Sequence, residues 1–195
     1  MARLVVRPLT AASLGDVEAI FMARGCSQAR QCWCMYYRRS GRPAGAGITN
    51  WPGREANRRE FEKAVKAGAF MGVVGYRGDE PIGWLSLGPR ETYPKLERSP
   101  AMRPVDAEPV WSLVCFVIPP EHRGQGVARA ILEGAIRFAR KQKVKWLEAY
   151  PVDKAGRSSD NSMWFGTRTM YADAGFEEVA RRKPTRPVMR LRLRR

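Results

Sequence analysis

The sequence has a single histidine, His122, and four cysteines, Cys26, Cys32, Cys34 and Cys115, in 195 residues. Four cysteines in a chain of this size without a secretion signal do not make a disulfide framework. Cys32 and Cys34 are spaced C-x-C rather than C-x-x-C, so with one histidine in the chain no zinc site, and no metal, is implied. No apolar run approaches the roughly 18 residues of a membrane span. The N-terminus, MARLVVRPLT, lacks a signal-peptide core and cleavage site, so a cytoplasmic protein that makes no use of a membrane is expected. Acids are missing from the last stretch, where Arg181, Arg182, Lys183, Arg186, Arg190, Arg192, Arg194 and Arg195 meet no Asp or Glu. There is no internal repeat and no linker.

What is present is an ordinary globular composition, 44% apolar and 28% charged, long enough for one domain over residues 1–195 with a substantial core. The formal charge of +16 favours anionic partners, whether cofactor phosphates, acidic substrates or nucleic acid. It is equally the mark of a soluble protein of high pI.

The most informative stretch is Val110 to Arg140. An apolar, β-branched run to Ile118 closes at Pro119 and Pro120, the profile of a buried strand. Arg123, Gly124, Gln125 and Gly126 follow. Ala128, Ile131, Leu132, Ala135, Ile136 and Ala139 then mark one face of a helix. The unit is strand, glycine-rich turn, helix. Helix starts carry unpaired N–H groups and partial positive charge, and glycines let the loop curl so that several amides meet one anion. That makes a phosphate cradle. The Gly-Lys-Ser/Thr ending of a P-loop is absent. A dinucleotide fingerprint would need glycine where Arg129 stands, although Glu148 lies near the expected distance downstream.

Arg123-Gly124-Gln125-Gly126-Val127-Ala128 resembles the acetyl-CoA loop of the GNAT N-acetyltransferase superfamily, Gln/Arg-x-x-Gly-x-Gly/Ala, reached through Pro120-x-x-Arg123. Tyr171 to Phe176 is similar to the later Tyr-x-x-x-Gly-Phe signature of that family. The resemblance implies an α/β (α+β) fold: a mixed, mostly antiparallel sheet of about six to seven strands, a splayed parallel pair at the cofactor site, and about four flanking helices.

The remaining pattern agrees with that order. A strand over Arg3–Leu9 leads to a helix capped at Ser13 and stopped at Gly25. Cys26 to Asn50 reads as a loop loaded with aromatics and ending in a Gly/Pro-rich run, Gly41 to Gly47. A helix from Pro52 or Arg54 to Ala67 precedes a hairpin of Ala69–Tyr76 and Pro81–Leu87. Gly88 to Pro109 is a long, proline-rich connection, and connections of that kind are functional or mobile. Val144–Tyr150 should lie parallel to the central strand, because a helix joins them. Val152–Ser162 reads as a mobile loop, Phe165–Ala174 as a helix, and Phe176–Val179 and Val188–Leu193 as closing strands.

The resemblance also assigns roles. Acetyl-CoA would lay its pyrophosphate on Arg123, Gly124, Gln125, Gly126, Val127 and Ala128, and its pantetheine along Phe116, Val117 and Ile118. Tyr171 would protonate the leaving thiolate. A phenol near pKa 10 suits a thiolate whose conjugate acid is near 8.5. Trp164 stands where relatives often have asparagine, with Asn161 the nearest substitute. Ser112 takes the position of a glutamate that some members use as base, which leaves Glu148 or Glu108 as candidates, or no base at all. Trp33, Tyr36, Tyr37, Glu91 and Trp111 are the candidate walls of the acceptor site, since aromatics line small-molecule pockets. Buried in its strand, Cys115 is expected to act as a small hydrophobe. The acceptor is expected to be a small-molecule amine rather than a protein, and a homodimer is compatible with the pattern. The rival is a nucleic-acid-associated or regulatory protein that works through the Arg-rich tail, although no recognition motif supports it.

Overall fold

A computed structural model describes residues 4–39, 53–154 and 163–193. Seven strands form one sheet: β1 (Leu4–Pro8), β2 (Gly72–Arg77), β3 (Glu80–Pro89), β4 (Trp111–Val117), β5 (Trp146–Ala149), β6 (Glu177–Lys183) and β7 (Arg186–Arg192). Their order is β1-β2-β3-β4-β5-β7-β6. Only β4 and β5 pair in parallel; the other neighbours run antiparallel. This is the mixed sheet with a parallel pair that was expected.

Six α-helices accompany the sheet among the described residues: α1 (Leu14–Met22), α2 (Ser27–Cys32), α3 (Arg54–Lys66), α4 (Pro94–Glu97), α5 (Val127–Lys141) and α6 (Arg168–Asp173). Two of them, α2 and α4, lie in segments that read as loops. None of these helices is long and apolar enough to cross a membrane.

Side-chain alternation sorts the core onto two faces. On one, α5 lays Ile131, Leu132, Ala135 and Ala139 over Val73, Leu85, Leu87, Leu113 and Leu147, and Tyr171 of α6 joins them. A Cβ on Gly134 would sit 2.4 Å from Val6, so that glycine is what lets α5 come down onto β1. On the opposite face, Phe21 of α1, Trp33 and Phe61 of α3 surround Trp84 of β3, with ring centroids 5.5–6.1 Å apart. The rest of that face is covered by the connection between β3 and β4.

That connection, expected to be irregular and functional or mobile, is ordered in part. It makes a 3₁₀ turn at Arg90–Thr92 and then α4, and it buries Tyr93 and Leu96 against Val114, Tyr150, Phe165 and Val188. The basic tail forms the two closing strands: Arg181, Arg182 and Lys183 lie on β6, and Arg186, Arg190 and Arg192 on β7, which sits inside the sheet between β5 and β6, where Arg190 is buried. The Gly41–Gly47 run and most of Val152–Ser162 lie outside the described residues.

Candidate active site

The site begins with a defect in β4. Ser86 of β3 faces Cys115, but Leu87 faces Leu113, so Val114 is an extra residue on β4, a bulge. Parallel pairing with β5 stops at the same place, covering only Trp111–Leu147, Ser112–Glu148 and Leu113–Ala149. Beyond Leu113 the two strands part. The Phe116 N–H donates instead to the Trp164 carbonyl at 2.8 Å, so the segment before α6 stands beside the freed edge of β4.

The cradle lies at the end of that edge. Gly124 and Gly126 have φ of +70° and +76°, values that favour glycine. The first bond of α5 runs from the Ala130 N–H to the Gly126 carbonyl, so the amides before it are not drawn into the helix. Side chains brace the loop from outside: Arg123 Nε donates to the Ile118 carbonyl at 2.8 Å, Gln125 Nε2 to the Glu121 carbonyl at 2.7 Å, and Arg77 Nη2 to Gln125 Oε1 at 2.8 Å. The backbone is thereby left to face an anion.

Between cradle and freed edge opens a cleft of about 330 Å³. Phe116, Val117, Ile118, Arg123, Gly124, Gly126, Val127 and Ala128 line it, all predicted from sequence; Gln125 does not, since its side chain braces the loop. Gly25, Cys26, Gln28 and Ala29 from the start of α2, together with Met163, Trp164, Gly166, Thr167 and Met170, form walls that sequence reasoning missed. The only local signal for the second group was Thr167, whose side chain accepts from the Met170 N–H and caps α6. Burial raises the Cys26 thiol pKa, partly offset by Arg123.

Tyr171 is fully buried beside this cleft, and its hydroxyl has no hydrogen-bond partner among the described residues. Its ring meets Phe176 edge-on at 5.0 Å, and a Cβ on Gly166 would lie 3.3 Å from it and 3.7 Å from Phe116. Burial alone raises its pKa, which holds the proton on the oxygen. Buried hydroxyls are normally satisfied, so an orphan beside a cleft marks a place where a ligand atom can complete the bond.

The family model for the acetyltransferase (GNAT) family matches residues 48–157, more than half of the chain and all of the cradle. The chain belongs to the GNAT acetyltransferase family. Among solved structures, ribosomal-protein-alanine N-acetyltransferase from Brucella melitensis is 20% identical, with a TM-score of 0.53 over 97% of this chain and 99% of that one. The Salmonella typhimurium protein yncA, solved with its cofactor acetyl-CoA, is 14% identical, with a TM-score of 0.54 over 98% and 94%. Drosophila melanogaster polyamine N-acetyltransferase, which forms N-acetylagmatine, is 12% identical, with a TM-score of 0.56 over 98% and 100%. At these identities the likeness is one of fold. No curated protein shows a significant match to the sequence.

Within this GNAT chain the other predicted site residues scatter. Glu148 is completely buried and is the hub of an ionic network: Oε1 accepts from Arg90 Nη1 at 2.6 Å and from the Tyr150 hydroxyl at 2.6 Å, and Oε2 accepts from Arg190 Nε at 2.8 Å. Arg190 continues to both oxygens of Asp106, and Arg90 to Glu97 and the Met102 carbonyl. Ser112 shares the Tyr150 hydroxyl at 2.8 Å. A carboxylate committed to two guanidinium groups beneath a packed connection is a clamp, and the base reading of Glu148 is corrected accordingly.

Glu108, Glu91 and Trp111 lie at or near the start of β4, about 20 Å along the strand from its far end at Val117 at ~3.3 Å per residue. Glu108 pairs with Lys145 at 2.8 Å, which lowers its pKa and removes the case for a base. Glu91 is exposed, and Trp111 packs its ring 6.1 Å from Phe138, so neither walls the cleft. Trp33 is 1% exposed in the aromatic core, which corrects its reading as a pocket wall. Tyr36 and Tyr37 differ: they meet edge-on at 4.9 Å, and Tyr37 continues to Phe165 at 5.4 Å, next to Trp164. Asn161 lies outside the described residues.

Proposed function

We propose that this chain transfers an acetyl group from acetyl-CoA to a primary amine of a small molecule by direct attack in a ternary complex. The observation that carries the reading is one continuous cleft joining the amide cradle of Gly124–Ala128 to the parted edge of β4, with the Tyr171 ring packed behind Gly166 in its wall. The amides before Ala130 suit a pyrophosphate, and the parted edge of β4 over Phe116–Ile118 marks the path of an extended pantetheine arm, which would take the place beside the strand that the Trp164 carbonyl now holds at the Phe116 N–H. Bound acetyl-CoA supplies the activated thioester.

The protein's part is to orient, to exclude water and to manage protons. Phe116, Val127 and Met170 give the cleft apolar walls. Tyr171 holds its proton with no acceptor among the described residues, so it can give that proton to a leaving sulfur. No carboxylate among the described residues lines the cleft, so the acceptor sheds its proton to water and attacks as the free amine.

Thermal melting with acetyl-CoA and with CoA, followed by CoA release over a panel of amines, tests this. Acetyl-CoA should stabilise the fold, and at least one amine should release CoA. Absence of any shift well above micromolar ligand would contradict the assignment.

A further inference from the structure

Near the splay, two guanidinium groups meet no carboxylate among the described residues. Trp164, bonded to the Phe116 N–H, sets Phe165 beside the parted end of β4. Phe165 in turn meets Tyr37 at 5.4 Å and Tyr150 at 5.9 Å. Arg186, at the start of β7, lays its Cζ 5.2 Å from the Phe165 ring and donates Nη1 to the Tyr150 carbonyl at 3.2 Å. It is half-buried, burial lowers its pKa, and the only group opposing that effect is the phenol of Tyr37. It does not line the cofactor cleft, so cofactor phosphates do not explain it.

A second guanidinium repeats the pattern on the other side of Tyr37. Arg38 stacks 3.8 Å over Phe70 and 4.9 Å over Tyr93. Its Nη1 donates to the Ala69 carbonyl, while Nε and Nη2, both buried, find no acceptor among the described residues.

The contrast with the neighbouring arginines is what carries the argument. Arg90 pairs with Glu97 and Glu148, and Arg190 with Glu148 and Asp106, so the two scaffold arginines nearest this site are both neutralised by carboxylates. Desolvating a cation without an anion is unfavourable, and such sites persist where a ligand supplies the missing charge. A guanidinium fork matches the two oxygens of a carboxylate.

We infer that the acceptor is an amine that also carries a carboxylate, and that Arg186 binds that carboxylate. The inference rests on the acetyl-transfer reading and narrows it, turning away from polycationic acceptors. The aromatic wall of Tyr37 and Phe165 would hold the apolar body between the two charged ends.

The test is a matched panel of free amino acids, their carboxamides, the decarboxylated amines and phosphate-bearing amines, assayed by CoA release. The wild type, Arg186→Gln and Arg186→Lys are compared, with acetyl-CoA binding measured by calorimetry on each. For the wild type, kcat/KM should favour the carboxylates over the carboxamides by about tenfold or more. Arg186→Gln should bring that ratio toward unity, mainly through KM, with acetyl-CoA affinity unchanged, and Arg186→Lys should recover part of it. Equal or better turnover of carboxamides, polyamines or phosphate-bearing amines by the wild type overturns the inference, as does a ratio that survives Arg186→Gln. Acetyl-CoA binding without turnover of any carboxylate-bearing amine overturns it too. Failure to bind acetyl-CoA at all instead sinks the transfer reading, and the inference with it.

Discussion

The two ends of β4 are built on opposite principles. At its start, around Ser112, the buried charges are engaged with one another: Glu148 holds two arginines and a tyrosine, and Arg190 reaches on to Asp106. At its end, after the Val114 bulge, the strand has parted from β5, and among the described residues the Tyr171 hydroxyl has no partner and the first bond of α5 is the one from the Ala130 N–H. One end stores stability in completed interactions, and the other keeps interactions open for a ligand. A carboxylate is therefore informative only with its partners, because Glu148 lies on the strand next to the site and still belongs to the scaffold.

The largest effect that would break this contrast is expected at the closed end. Glu148→Ala leaves Arg90 and Arg190 buried without their shared anion and should cost about 3–5 kcal/mol of unfolding free energy, read from denaturant melts. Activity per folded molecule should stay near wild type. A variant of normal stability and lost activity would make Glu148 a catalytic base after all.

At the open end, Gly126→Val forces a β-branched residue to φ +76° and should cost about 1–3 kcal/mol, together with a marked loss of acetyl-CoA affinity by calorimetry. Stability lost without affinity would detach the cradle from the ligand. Smaller still is Glu108→Gln, which removes an exposed pair with Lys145. Both stability and kcat should stay near wild type, with stability moving by less than about 1 kcal/mol. A large fall in kcat would restore Glu108 as a base.

The pH profile sharpens the same comparison. Burial raises the Tyr171 pKa above the ordinary phenol value of about 10. The acid therefore stays protonated, and the rate should climb with pH as the acceptor amine deprotonates, with no downturn until beyond that value. A fall beginning near neutrality would assign the proton to another group.

Legibility in the sequence followed the range of the interactions. The cradle was readable because it is local: two glycines, a strand before and a helix after, within residues 110–140. The parallel β4–β5 pair followed from the helix joining them. The fold of the Gly88–Pro109 connection was not readable, because it is held by partners such as Arg90 with Glu148 and Arg190 with Asp106, up to 84 residues apart. The same applies to Trp33, whose place in the core depends on Phe21, Phe61 and Trp84 meeting around it. Helix α2 was hidden by its short length, and it ends at Trp33 and Cys34, two consecutive residues at φ 48° and 53° that no glycine announces.

The most direct test of the open end is Tyr171→Phe, followed by single-turnover acetyl transfer and a denaturant melt of the same preparation. Because the hydroxyl has no partner among the described residues, its removal should leave stability unchanged or slightly higher. It should slow transfer by about 100-fold or more, with acetyl-CoA affinity kept. A variant that transfers acetyl at the wild-type rate, or one that loses stability and activity together, would contradict the account.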